Sequence, residues 1–114
     1  MGDPQRFHVV AELAALREGR TLACRVEGRP VVVCRTRDGL HALDDLCTHA
    51  LARMSEGRLR GTRLTCPLHA AAFDVCGGQV LSGPATRPLA THAVRVAGGR
   101  IEVAIDPSLP PLEE

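Results

Sequence analysis

Four residues in two short clusters hold the chemistry this chain could perform. Cys47-Thr48-His49 and Cys66-Pro67-Leu68-His69 each place one thiol beside one imidazole, with sixteen residues between the clusters. Thiolates are soft donors and imidazoles somewhat harder ones, so the set is asymmetric. A single ion bound by all four would be a tetrahedral Cys2His2 zinc. Common zinc spacings, however, open with two cysteines two to four residues apart, whereas here a Cys and a His stand one residue apart. The mixed pairs fit better a cluster of two irons, with both cysteines on one iron and both histidines on the other.

Such clusters have to sit at the tips of two loops, and the chain around them reads as short strands joined by turns. Arg6–Val10 is a first strand, and Ala11–Arg17 is a short turn or helix at a sheet edge. Arg20–Glu27 sets Leu22, Cys24 and Val26 on one face against Thr21, Ala23 and Arg25 on the other, as a half-buried strand does. Gly28-Arg29-Pro30 turns into the β-branched run Val31–Arg37, and Asp38-Gly39 turns again into Leu40–Leu43, giving an antiparallel meander. Between Asp44 and Cys66 the rhythm breaks, with short strands at Arg58–Leu59 and Arg63–Thr65. Ala71–Asp74 and Gln79–Leu81 flank the turn Cys76-Gly77-Gly78, and an irregular loop, Ser82–Pro88, follows. Leu89–Val96 and Arg100–Ile105 form a final hairpin with Ile101, Val103 and Ile105 inward. The expected organisation is an N-terminal extension at 1–5, one domain at 6–105 with an inserted metal-binding subdomain at about 44–86, and a tail at 106–114. That tail, DPSLPPLEE, reads as disordered or loosely draped.

At 114 residues there is room for one domain and no second catalytic module. Apolar residues make up 45%, yet the chain has no Trp or Tyr, so the core must be aliphatic, with Phe73 as the largest plug beside a ligand loop. A net charge of +1 gives no argument for nucleic acid or a membrane surface. Met1–Arg6 carries no apolar signal core and no run approaches a membrane span, so a soluble, cytoplasmic placement is expected. Cys24, Cys34 and Cys76 are then left over, an odd number that does not suggest a disulfide framework.

At its four ligand-type residues the sequence resembles the Rieske iron–sulfur proteins, whose signature is C-x-H followed by C-x-x-H. The likeness extends to Ala42-Leu43-Asp44-Asp45, Ser55-Glu56-Gly57 with Leu59 and Gly61, Phe73-Asp74 and Gly83-Pro84-Ala85, covering about residues 5–105. Two positions depart from the common pattern: Leu68 stands where Trp or Tyr is frequent, and Ala70 where Gly is usual. The resemblance implies an all-β fold, a Rieske-type antiparallel β sandwich or barrel base with a small inserted cluster-binding subdomain. It implies one 2Fe-2S cluster of Rieske type, with Cys47 and Cys66 on the inner iron and His49 and His69 on the outer one. High-potential relatives carry a disulfide between the loops and two hydroxyl donors; the corresponding positions here are Ala52 and Leu68, and Ala71 and Phe73. Fewer donors to the sulfurs imply a low potential.

The function implied is that of a one-electron carrier, not itself an enzyme, passing electrons from a flavin-dependent reductase to the terminal oxygenase of a ring-hydroxylating dioxygenase. Nucleic acid and membrane are not expected partners. The alternatives are the small subunit of an assimilatory nitrite reductase and a non-redox zinc-binding interaction module. Outside the motif, His8, His41 and His92 read as surface or core residues. Cys24 and Cys34 could face one another across neighbouring strands, and Asp44 and Asp45 could either orient the ligand loop or be solvated. Arg53, Arg58, Arg60, Arg63 and Arg87 could form a docking patch or simply a solvated face. The ligand assignment is testable by spectroscopy. Cys47→Ser or Cys66→Ser should lose most of the cluster and much of the fold, because ligand binding is folding free energy in such loops. His49→Cys or His69→Cys should retain some iron with a changed electronic spectrum, and an unchanged spectrum in Cys66→Ser would refute the assignment.

Overall fold

The structure, a computed structural model, describes residues 6–48, 51–68 and 70–112. Its strands are β1 (His8–Glu12), β2 (Arg20–Val26), β3 (Arg29–Thr36), β4 (Gly39–Asp44), β5 (Arg58–Arg60), β6 (Arg63–Thr65), β7 (Ala72–Asp74), β8 (Val80–Ser82), β9 (Thr91–Ala97) and β10 (Arg100–Ala104). Two short 3-10 turns, Leu13–Ala15 and Met54–Glu56, are the helical pieces among the described residues. The strands form a six-stranded sheet in the order β1-β10-β9-β4-β3-β2 and a four-stranded sheet in the order β5-β6-β7-β8, with antiparallel neighbours in both. The larger sheet curls until its outer strands approach each other, and His8 Nε2 meets Glu27 Oε2 at 2.8 Å across the seam. The base is therefore a near-barrel, as the all-β expectation held.

β3 explains how the two sheets share one body. Its run Val31-Val32-Val33-Cys34 is fully buried, and side chains alternate across a strand, so the run serves two cores at once. Val31 and Val33 point into the barrel with Leu16, Val26, Ala42, Ile101 and Val103. Val32 and Cys34 point the other way, into a cluster with Leu43, Met54, Leu64, Phe73 and Leu89 beneath the small sheet. Phe73 is fully buried there, as its position beside a ligand loop led one to expect. Gly57 lets the small sheet close up: a Cβ there would run into the Thr65 carbonyl oxygen.

The alternation also decides the spare cysteines. Cys24 stands opposite Val31 and Cys34 opposite Thr21, so the two do not pair, and they lie on opposite faces of the sheet. Burial, aided by the Asp45 charge, pushes the Cys24 thiol up to about 11 and that of Cys34 up to about 12. Both are inert packing thiols under ordinary conditions. The tail is a correction. Instead of being loosely draped, Asp106–Leu112 folds back on the domain: the Asp106 side chain caps a turn by accepting from the Ser108 N–H at 2.9 Å, and the Pro110 carbonyl accepts from Arg29 Nη1 at 2.6 Å. Its prolines stiffen the segment, and the Pro110 carbonyl supplies an acceptor that the buried guanidinium needs. Iodoacetamide should accordingly label the exposed Cys76 in the native protein and spare Cys34 until unfolding, read by mass spectrometry; a native Cys24–Cys34 disulfide would contradict this packing.

Candidate metal centre

The two cysteines of the motif lie in loops built alike. The Cys47 N–H donates to the Ala52 carbonyl at 2.9 Å, and the Cys66 N–H donates to the Ala71 carbonyl at 2.7 Å, so each loop is closed by the same five-residue step. Ala52 and Ala71 are both buried, which draws the loop bases into the upper core, while Leu51 and Leu68 stand out at 78% and 47% exposure. Cys47 and Cys66 are buried in one cluster with Phe73, Ala71 and Ala85, and neither is in a disulfide. The Leu68 N–H donates to the Cys66 Sγ at 3.4 Å. Ala70, at the position where glycine is usual, takes the left-handed conformation with φ 60°, so the loop keeps the geometry at the steric cost a Cβ adds there. His49 and His69, the other two expected ligands, lie outside the described residues.

The donor chemistry fits an iron–sulfur cluster. Burial, and the nearness of the Cys47 thiol, push the Cys66 thiol up, while the Leu68 N–H pulls it the other way. The two thiols together form a soft ligand pair, and a bound metal takes the place of their protons. The surroundings are apolar, and Ala71 and Phe73 offer no hydroxyl to the sulfurs.

Behind the first loop stands a network that inspection of the motif does not reveal. Arg29 grips Asp44 with two bonds, Nε to Oδ1 at 2.6 Å and Nη2 to Oδ2 at 2.8 Å. His92 Nε2 meets Asp44 Oδ1 at 2.8 Å, and His92 Nδ1 accepts from the Asp106 N–H at 3.3 Å. Those two bonds assign the imidazole proton to Nε2, which donates to Asp44. All three side chains are buried, so the Asp44 carboxylate needs both partners. Burial alone would raise the Asp44 carboxyl, but the hydrogen bonds from Arg29 and His92, with the guanidinium charge, outweigh it and hold the group below its usual range. Asp45 points to the other side of the loop, its carboxylate accepting from the Ser55 N–H at 2.6 Å and the Ser55 hydroxyl at 2.7 Å. Here burial prevails and the carboxyl is raised. Both acids thus orient the ligand loop, the first of the two readings open to them. Arg87 and Thr48 complete the clamp, Thr48 Oγ1 donating to the Arg87 carbonyl at 2.8 Å and Arg87 Nη2 to the Thr48 carbonyl at 3.2 Å.

The outlying histidines are accounted for: His92 belongs to this network, His8 to the barrel seam, and His41 to a contact with Thr36 Oγ1 at 3.3 Å. Arg29 and His92 are the residues a motif-based reading misses. The available signal was Asp44 itself, a carboxylate at the end of an apolar strand, since a buried charge must find partners.

A β scaffold whose two matched loops bring a pair of buried thiols together fits a protein that binds a metal cluster. Residues 6–93 match the Rieske 2Fe-2S domain, and the chain belongs to that family and carries one Rieske-type 2Fe-2S cluster. It is similar to the ferredoxin component of a naphthalene 1,2-dioxygenase system of Pseudomonas aeruginosa, 40% identical over 91 residues, spanning 80% of this chain and 88% of the relative. Among solved structures it resembles the ferredoxin in a complex of reduced oxygenase and oxidized ferredoxin of carbazole 1,9a-dioxygenase, with a TM-score of 0.84 and 36% identity, covering 91% of this chain and 97% of that one. A nitrite reductase small subunit from Mycobacterium tuberculosis shares the fold at a TM-score of 0.79 with 26% identity, covering 90% of this chain and 96% of that one.

Breaking the buried pair should be expensive. Arg29→Ala leaves Asp44 without its cation and should cost about 3–5 kcal/mol in urea unfolding of the holoprotein at neutral pH. The sign of the pH dependence follows from the lowered carboxyl. Asp44 stabilises the fold above its ordinary value of 3.8, and this is lost as pH falls through the lower folded value. Arg29→Ala should flatten that part of the acid limb, whereas the raised Asp45 contributes with the opposite sign in both proteins. A variant as stable as the parent at neutral pH would contradict the role given to the pair.

Proposed function

We propose that this chain is a one-electron carrier of low potential, taking electrons from a flavin-dependent reductase and giving them to the terminal oxygenase of a ring-hydroxylating dioxygenase system. In this reading Cys47 and Cys66 hold the inner iron, His49 and His69 the outer one, and the protein works in the cytoplasm. When bound, the cluster supplies reversible uptake of a single electron. The chain's own residues bury the thiolate side, hold the loops at fixed spacing and leave the rim of Leu51 and Leu68 open to a partner. Small, wet interfaces suit such brief encounters.

The observation that carries the proposal is the pair of buried thiols between equally closed loops, with the hydroxyl positions of high-potential relatives filled by Ala71 and Phe73, both at 0% exposure. Identity of 40% to a dioxygenase ferredoxin against 26% to a nitrite reductase small subunit supports the oxygenase reading over that alternative. Among the described residues no helix is long and apolar enough to cross a membrane.

Restoring the hydroxyls tests the low potential. Hydrogen bonds to charged groups are worth roughly 1.5–3 kcal/mol, and only their difference between oxidation states moves the potential. Ala71→Ser with Phe73→Tyr should therefore raise the midpoint potential by on the order of tens of millivolts, at 59 mV per 1.4 kcal/mol for one electron. Protein-film voltammetry of parent and variant checks this, and an unchanged potential in a variant that keeps its cluster would defeat the tuning argument.

A further inference from the structure

The outer face of the small sheet carries an arrangement that packing does not explain. Strand alternation places Arg58 and Arg60 side by side on β5, and Arg60 stands directly opposite Arg63 on β6. Leu59 and Leu64 point inward to the core between them. All three arginines are exposed. Like charges directly opposed across two strands destabilise a sheet, so this pairing works against the fold. The nearby acids relieve little of it. Asp74 lies opposite Arg63 but accepts from the Cys76 N–H at 2.9 Å, and Arg63 Nη2 donates to Ser82 Oγ at 3.2 Å. Among the described residues Arg58 and Arg60 enter no ion pair. The chain as a whole is only +1, so this is a local excess.

The patch borders the metal centre. A groove of about 510 Å³ is lined by Glu56, Arg58, Arg60, Arg63, Cys66 and Pro67, with Gly57 and Thr65 in its floor. One end is cationic and the other is the second ligand loop. We propose that this groove is a docking surface for an acidic segment of a protein redox partner, the guanidinium groups engaging carboxylates while the partner lies against the loop of Cys66 and Leu68. The inference rests on the electron-carrier reading and adds where, and by what charge, a partner is held. Guanidinium forks match carboxylates in pairs of bonds, and charge complementarity steers association more than it deepens it. Nucleic acid fits less well, because base stacking needs aromatic faces. The chain's two, Phe7 and Phe73, are elsewhere: Phe7 lies under Arg95 at 3.9 Å, and Phe73 is buried.

The test uses the cluster-loaded protein and a fluorescein-labelled hexaglutamate peptide followed by anisotropy at low salt. The parent should bind the peptide with an affinity that falls as salt is raised. Arg58→Glu with Arg60→Glu should weaken it at least about tenfold, Arg58→Gln with Arg60→Gln should fall between, and Arg95→Glu should bind as the parent does. The visible spectrum should not change in any of them, and both double variants should melt no lower than the parent, since they remove an opposed like-charge pair. Equal peptide binding by parent and the double glutamate variant would overturn the proposal. So would a labelled oligothymidylate of similar charge that binds more tightly than the peptide through the same arginines. A parent that holds no reducible cluster would instead sink the electron-carrier reading, whatever the peptide does.

Discussion

Two cysteines brought together in an apolar core give a soft ligand pair for a metal, and the need to hold them there organises the molecule. The Cys47 and Cys66 side chains are drawn out of water and close enough to affect one another, with one backbone amide aimed at the Cys66 sulfur. The protein's task is to bring the two loops to the same place with the same shape. It does so by closing each with one backbone bond of identical register and seating the closing residue, Ala52 or Ala71, in a shared core.

That core exists because β3 is buried on both faces. A strand covered on one side alternates apolar and polar residues; one covered on both reads as a continuous apolar run. Val32 and Cys34 extend the barrel's packing upward to Leu64 and Phe73, so the small sheet is stacked on the large one and does not hang from a linker. The first ligand loop is then fastened at its base by Asp44 and Asp45, which leave the end of β4 in opposite directions, one to Arg29 and His92 and the other to Ser55. The C-terminal segment joins this fastening through Pro110 and Asp106. The rigidity of the metal-bearing tip is thus distributed over residues far from it in the chain.

Much of this was legible in the residue order. Alternation in Arg20–Glu27, turn residues at Gly28 and Gly39, and the cluster pattern at Cys47 and Cys66 each have local causes, and local causes survive into the fold. Strand ends moved by a residue or two, as for β1, which begins at His8 and runs on to Glu12. What local reasoning could not supply were long-range partners. Nothing near Asp44 in the chain announces Arg29 or His92, and the prolines of the tail, which suggest an extended and unattached segment, equally suit one that lies along a surface and offers carbonyls to it. Cys24 and Cys34 show the same limit. Their strands are neighbours, but the register, fixed by the turn at Glu27-Gly28, sets them opposite other residues.

In the proposed cluster Cys47 and Cys66 hold one iron and His49 and His69 the other, and the pair of irons takes a single electron. Pulsed electron paramagnetic resonance of the reduced protein, grown with nitrogen-15 histidine and analysed for iron and acid-labile sulfide, tests it most directly. The predicted result is iron and sulfide in equal amounts, with two histidine nitrogens coupled to the unpaired electron. A colourless protein holding one zinc, or a reduced cluster with no histidine coupling, would contradict it.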